Sequence, residues 1–236
     1  MRLRHKGTRA AALALLITAG LAACSSAADT GPEAKKLTAA EQLAAAKAKT
    51  DAATSMHLTL RSSGIPTSVN GALGADGSGT HAPAFKGTLD ARIAGFGVKF
   101  EVVAIDKLLY LKRPFTTEFV EVDPKQYNAP NPAQLFATRG GITSLLTSTT
   151  NPVDGKQTRQ GAEVLKTITG KLPGESVAKL LNIGDAAKSF DVTYGITDPG
   201  GELRTVTVVG PFYQGATSTY TLTLDKYGDA VEISKP

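Results

Sequence analysis

The spacing of hydrophobic and polar residues changes along the chain, from the period of a helix to the period of a strand. A threonine and a glutamate at 38–41 form a capping box at the start of an Ala/Lys-rich segment, which predicts a helix to about Ala53. From Met56 onward apolar and polar residues alternate, as they do in half-buried strands. The alternation is clearest over 85–93 and 98–104, and the short connections between such segments predict an antiparallel meander.

The second half of the chain contains both periods. An asparagine and a proline at 131–132 supply an N-cap and a first helical residue, and short helical stripes follow to about Leu146. A further short helix is predicted at 175–181. Two other segments carry weaker signals: the Gly-rich stretch 71–80 predicts a turn region, and 230–234 predicts a final strand.

Together these elements predict one α+β domain over residues 38–236, with ten or eleven strands and three or four helices. A one-faced sheet of that size has more apolar surface than a few short helices can cover. Two interpretations are open at this point. Either a curved sheet with helices closing over it leaves an apolar cavity, or the same side chains form a densely packed core.

Composition and charge narrow the class of protein. Apolar residues make up 42% and charged residues 20% of 236, which excludes collagen, coiled coil and wholesale disorder. The net charge of +5 is concentrated in residues 1–9, which contain four basic residues and no acid. Without the first 23 residues, 22 basic residues face 21 acidic ones, a net of about +1. We therefore predict no nucleic-acid partner.

The N-terminal segment has the parts of a secretory signal. A basic stretch precedes an uncharged apolar stretch at 10–21, and L-A-A-C at 21–24 resembles a bacterial lipobox. That resemblance implies a diacylglyceryl group on the thiol of Cys24, after cleavage of a signal peptide at 1–23. An ordinary signal peptide with an unrelated cysteine is the alternative, but Cys24 is the only cysteine in the chain. Residues 24–37 would then be an acylated N-terminus and a flexible tether, placing the protein at the extracytoplasmic (periplasmic) face of the cell membrane.

Signatures of catalysis are sparse. His57 and His81 have neither a cysteine partner nor zinc-site spacing, and we interpret both as solvated side chains. An S-x-x-K at 176–179 lacks the S-D-N and K-T-G companions of serine β-lactamases, and it fits the polar face of a helix. We predict a protein that is not an enzyme, with no catalytic residue, metal or cofactor.

Several segments, spread over nearly the whole chain after the signal, resemble one family. They are F-K-G-T-L at 85–89, V-V-A-I-D at 102–106, N-P-A-Q-L at 131–135, G-A-E-V-L at 161–165 and, most similar of all, Y-T-L-T-L-D-K-Y-G at 220–228. In this order they resemble the mycobacterial and actinobacterial LppX/LprA/LprF/LprG lipoproteins. The resemblance implies a strongly curved antiparallel half-barrel with short helices over its concave face, similar to the LolA/LolB carriers. It also implies an enclosed apolar cavity for acyl chains of glycolipids or triacylglycerol.

The prediction that follows is a membrane-anchored lipoprotein that binds multi-acylated lipid or glycolipid and transfers it across the cell envelope. Its expected partners are this cargo, the inner membrane through the lipid anchor, and a membrane efflux transporter. The alternative is a lipid-anchored interaction or assembly factor without lipid cargo. The candidate lipid-binding residues are apolar positions of the strands and of the closing helices: Leu58, Leu60, Phe85, Leu89, Ala91, Ile93, Val98, Phe100, Val102, Leu135, Phe136, Ile142, Leu145, Leu146, Val177 and Leu181.

Overall fold

The computed structural model of the protein describes residues 36–127 and 129–236. The predicted signal peptide, Cys24 and the tether up to residue 35 lie outside the described residues. Residues Leu37–Pro236 form one compact unit. No helix in the described part of the chain is both long and apolar enough to cross a bilayer.

The helices are few and short. They are α1 (Ala39–Asp51), α2 (Ser144–Ser148) and α3 (Gly174–Leu181), with 3-10 helices at Pro124–Tyr127 and Pro132–Phe136. The predicted capping box starts α1: Thr38 Oγ1 accepts from the Glu41 N–H at 3.2 Å, and Glu41 Oε2 accepts from the Thr38 N–H at 2.8 Å. These two bonds satisfy free donors at the helix start. The Thr38 N–H and the Thr38 hydroxyl both donate to Glu41 Oε2, and these bonds lower the pKa of the exposed Glu41 carboxyl.

Twelve strands make one antiparallel sheet in the described residues. They are β1 (Ser55–Ser63), β2 (Gly71–Thr80), β3 (Ala84–Ile93), β4 (Phe96–Ile105), β5 (Leu108–Lys112), β6 (Val120–Val122), β7 (Thr150–Asp154), β8 (Thr158–Gln160), β9 (Glu163–Pro173), β10 (Ser189–Thr197), β11 (Leu203–Tyr213) and β12 (Ala216–Asp225). The order is β6-β5-β4-β3-β2-β1-β12-β11-β10-β9-β7, with β8 also paired to β9. Because β6 and β7 do not pair, the sheet stays open, as the predicted half-barrel requires.

Because neighbouring strands are antiparallel, successive connections lie alternately at the two ends of the sheet. Ser63 pairs with Thr219, which brings the β1–β2 loop at 64–70 beside the β11–β12 turn at 214–215. The β3–β4 turn at 94–95 and the β5–β6 loop at 113–119 lie at the same end, because successive strands alternate in direction. We call this end, formed by these four connections, the rim.

Two local predictions are wrong. The stretch 71–80 is strand β2 rather than a turn, and 230–234 forms no strand. The glycines of β2 make space for aromatic rings: a Cβ atom on Gly79 would lie 2.5 Å from the Phe136 ring, and one on Gly77 would lie 2.7 Å from the Phe85 ring. Glycine here accommodates close packing across the sheet face, which a sequence pattern cannot distinguish from a turn.

The core is concentrated under one half of the sheet. Strands β9–β12 contribute most of the large side chains that are fully buried, and α1, α2 and α3 each add one: Ile168, Leu172, Phe190, Val192, Tyr194, Leu203, Val206 and Leu224, with Leu43, Leu146 and Val177 from the helices. Hydrogen bonds fix the helices over this half: Thr50 Oγ1 accepts from the Leu203 N–H at 3.1 Å, and the Thr149 and Tyr194 hydroxyls lie 2.8 Å apart. We call this the solid half, since among the described residues β1–β5 contribute only Val102 to this group of large, fully buried side chains.

Candidate functional site

A cavity of about 1100 Å³ lies against the β1–β5 half of the sheet. Its walls come from alternate residues of β1–β5 and from residues of β11 and β12. The segment from Pro124 to Leu145 contributes further lining residues, among them Pro132, Leu135 and Ile142. Both interpretations left open by the sequence are therefore realised, a packed core under one half of the sheet and a cavity under the other.

Most of the residues proposed from sequence meet at this cavity. Fourteen of the sixteen line it: Leu58, Leu60, Phe85, Leu89, Ala91, Ile93, Val98, Phe100, Val102, Leu135, Phe136, Ile142, Leu145 and Leu181. Cross-strand register brings them together, since Leu89 lies opposite Phe100, and Ala91 opposite Val98. Residues opposite one another in a ladder point to the same face, so the predicted face of β3 and β4 is the cavity face.

Leu146 and Val177 do not line the cavity, contrary to the sequence prediction. Each is about 1% exposed and belongs to the packed core. On α2, Leu145 lines the cavity while its neighbour Leu146 is buried in that core, and on α3 the cavity residues are Leu180 and Leu181 rather than Val177. A short helix lying over a boundary between cavity and core divides its apolar residues between the two.

The sequence analysis missed the polar groups of the lining. Arg92, Arg113 and Asn70 line the cavity near the rim, and Asn182 lines it at the end of α3. The Arg92 Nη1 donates to the Ile65 and Pro66 carbonyls, at 3.4 and 3.2 Å. Neither arginine was among the candidate residues, because alternation of apolar and polar residues carries no signal for a charged residue in a cavity wall.

A tyrosine pair adds a further polar feature to the wall. The hydroxyls of Tyr213 and Tyr220 lie 2.8 Å apart, on strands β11 and β12. Burial raises the pKa of the Tyr220 phenol, and the hydrogen bond and charge of Tyr213 raise it further. The Tyr220 phenol therefore stays protonated beside the Tyr213 hydroxyl.

The other candidates for chemistry lie away from the cavity. His57 is not a freely solvated side chain, since its Nδ1 lies 2.8 Å from Asp225 Oδ1 and its Nε2 lies 3.3 Å from Asp76 Oδ1. It connects β1 to β12 and β2. Neither Ser176 nor Lys179 is among the cavity-lining residues. Within 36–127 and 129–236, no group of three or more His, Cys, Asp and Glu residues could hold a metal ion.

Comparisons with known proteins agree on one family. A family described as LppX_LprAFG lipoprotein matches residues 38–233. The crystal structure of LprF from Mycobacterium bovis aligns with a TM-score of 0.70 at 17% identity, covering 84% of this chain and 96% of that one. Lipoprotein LppX from Mycobacterium tuberculosis aligns with a TM-score of 0.62 at 22% identity, covering 83% and 98%. A LolA superfamily protein from Nitrosomonas europaea aligns with a TM-score of only 0.31 at 9% identity, covering 85% and 99%. No curated protein sequence matches the chain.

Proposed function

The chain belongs to the LppX_LprAFG lipoprotein family, and we propose that it is a membrane-anchored carrier of acylated lipid. In this proposal the cavity holds the acyl chains of a glycolipid or of triacylglycerol, and the protein transfers them across the cell envelope. The main support for this proposal is the apolar cavity of about 1100 Å³. It exceeds the upper end, about 1000 Å³, of pockets that hold drug-sized ligands, which suits a cargo with more than one chain.

Energetics explain why such a carrier needs few polar contacts. Moving an acyl chain from water into an apolar site gains about 0.8 kcal/mol per CH₂. A membrane donor already buries those chains, so exchange between bilayer and cavity is close to balanced. The cavity then has to be apolar, large and open to entry, and selectivity is left to the polar residues near the rim. We propose no enzymatic activity for this site.

A preparation of residues 25–236 tests the proposal, since the compact unit and its core lie within 37–236. Native mass spectrometry followed by solvent extraction should reveal a co-purified lipid with more than one acyl chain. The same protein delipidated and offered that lipid should take it up again. A clean apo mass with no uptake would contradict lipid carriage and favour the lipid-anchored assembly factor.

The anchor is a separate part of the proposal. Replacing Cys24 with alanine should remove the acyl mass shift and the partitioning of the protein into detergent, because the thiol is the acceptor of the diacylglyceryl group. Mass spectrometry and detergent-phase separation of the expressed protein measure both. A cleaved Cys24→Ala protein that still partitions like the wild type would contradict the lipobox interpretation.

The tether limits where an anchored carrier can work. A tether of a dozen residues, as the sequence predicts, would have a typical span of about 20 Å and a fully stretched limit of about 45 Å. We therefore propose that the protein collects lipid at the extracytoplasmic face of the inner membrane that holds its anchor, from a neighbouring efflux transporter. Delivery to a more distant leaflet would need a bridging partner or a released pool of carrier.

A further inference from the structure

Two phenylalanines at the rim expose their rings to water. Phe96 is 75% exposed, and Phe115 is fully exposed in the 113–119 loop. Each adjoins the cavity wall: Phe96 pairs with the lining residue Ile93, and Phe115 follows the lining residue Pro114. Phe115 also has a φ of +63°, in the left-handed region that large side chains rarely adopt. The apolar lining thus continues outward onto the protein surface.

The same part of the rim is basic. Arg113 forms no ion pair with another described residue, and the Arg92 guanidinium donates to backbone carbonyls. On strands β3 and β4, Asp90 is engaged by Lys99 at 3.5 Å and Glu101 by Lys112 at 2.8 Å. Two further acidic residues lie nearby, Glu118 in the 113–119 loop and Glu121 on β6. Glu121 lies beyond the loop, opposite Tyr110 of β5, so the two arginines supply the positive charge beside the exposed rings.

We propose that the rim patch, defined as Phe96, Phe115, Arg92 and Arg113, is a membrane-docking surface. Exposed aromatic rings beside basic side chains suit the boundary between headgroups and acyl chains of an anionic bilayer, where rings insert and arginines meet phosphates. Docking there would place the end of the cavity that Arg92 and Arg113 line against the bilayer, so that acyl chains could pass between membrane and cavity without crossing water. The inference rests on the proposed lipid carriage and adds the surface through which the cargo moves.

The tether permits this orientation. A strand of ten residues, such as β4, spans about 34 Å. The stretched tether limit of about 45 Å exceeds that length. A tether of the predicted length would therefore allow the rim to reach the bilayer that holds the anchor.

An emission probe can test docking directly, because the chain contains no tryptophan. Residues 25–236 carrying Phe115→Trp should show a blue-shifted emission when mixed with vesicles of phosphatidylcholine containing about one third phosphatidylglycerol. The matched control is Leu108→Trp, since Leu108 is also exposed but begins β5 at the opposite end of the sheet. Its spectrum should not change. No shift at position 115, or equal shifts at both positions, would overturn the proposal and assign the exposed rings to a protein partner.

Partitioning gives a second readout that does not depend on the probe. The pair Phe96→Ser and Phe115→Ser should weaken vesicle binding about tenfold or more, whereas Leu108→Ser should leave it unchanged. Arg113→Gln should reduce the dependence of binding on phosphatidylglycerol. Binding that is equal in all variants would overturn docking through this patch.

The lipid content of the same preparations separates docking from lipid carriage. A protein that binds vesicles but takes up no lipid would overturn carriage and retain docking. A protein that is loaded with lipid but does not bind vesicles would overturn docking and retain carriage.

Discussion

Replacing Leu89 and Ala75 together with tryptophan should reduce lipid loading at least about tenfold while leaving the protein folded. The two residues lie opposite one another on β3 and β2, and both line the cavity. Two indole rings would occupy space that acyl chains need, and each CH₂ displaced forfeits about 0.8 kcal/mol of burial. Loss of even a few CH₂ groups corresponds to a tenfold or larger change in affinity. Native mass spectrometry of the co-purified lipid measures the effect.

Thr88→Trp is the matched control for this experiment. Thr88 is adjacent to Leu89 on the same strand but does not line the cavity, so the added ring should not change lipid content. If Leu89 and Ala75 instead lay in a solid core, replacing them with tryptophan would overpack it and lower the free energy of unfolding by about 1–3 kcal/mol. Variants of Leu89 and Ala75 that are destabilised but carry normal amounts of lipid would contradict the assignment of this wall.

Phe190→Ala should lower the free energy of unfolding by about 3–5 kcal/mol. Its ring is fully buried and packs edge-to-face on Phe212, with ring centroids 4.8 Å apart. It also covers Gly210, where a Cβ atom would lie 2.3 Å from the Phe190 ring. Truncation leaves a hole in the solid half of the sheet that neighbouring side chains cannot fill. Urea unfolding of the lipid-free protein measures the cost.

Leu89→Ala is the variant to compare with Phe190→Ala, because Leu89 borders the cavity. Its removal enlarges an existing cavity instead of creating one, so the loss should fall below the 2–5 kcal/mol typical of leucine truncation in a packed core. Equal costs at positions 89 and 190 would show that the β1–β5 half contributes as much packing as the other half, and would contradict the division of the sheet into a hollow and a solid half.

Alternation was sufficient to predict that the apolar residues of β3 and β4 share one face of the sheet. Alternation has a period of two, and a short hairpin connection fixes which faces of its two strands coincide, so Leu89 and Phe100 had to point the same way. The family resemblance supplied the open curved sheet. The strand count differed from the observed twelve because β2 and β7 were missed and 230–234 was wrongly counted. These features depend on local order along the chain, which the sequence displays directly.

The remaining features depend on contacts between distant segments. The glycines of β2 indicate a turn until Phe85 and Phe136 are seen against them. Whether a helix residue meets cavity or core is decided by the boundary beneath it, as Leu145 and Leu146 show. Arg113 in the rim patch lies in a loop, where neither the helical nor the strand periodicity of apolar residues applies. No local pattern carries information of this kind.

The edge strands β6 and β7 affect whether copies of the protein can aggregate through their sheets. An open sheet presents unpaired backbone groups at each edge, and long regular edges invite strands from other molecules. Here β6 has only three residues, while β7 contains Pro152 and shifts register against β9 between Thr150 and Val153. Proline lacks the N–H that a new neighbour would need, and a register shift interrupts the spacing of the others. The sheet can therefore stay open without polymerising edge to edge.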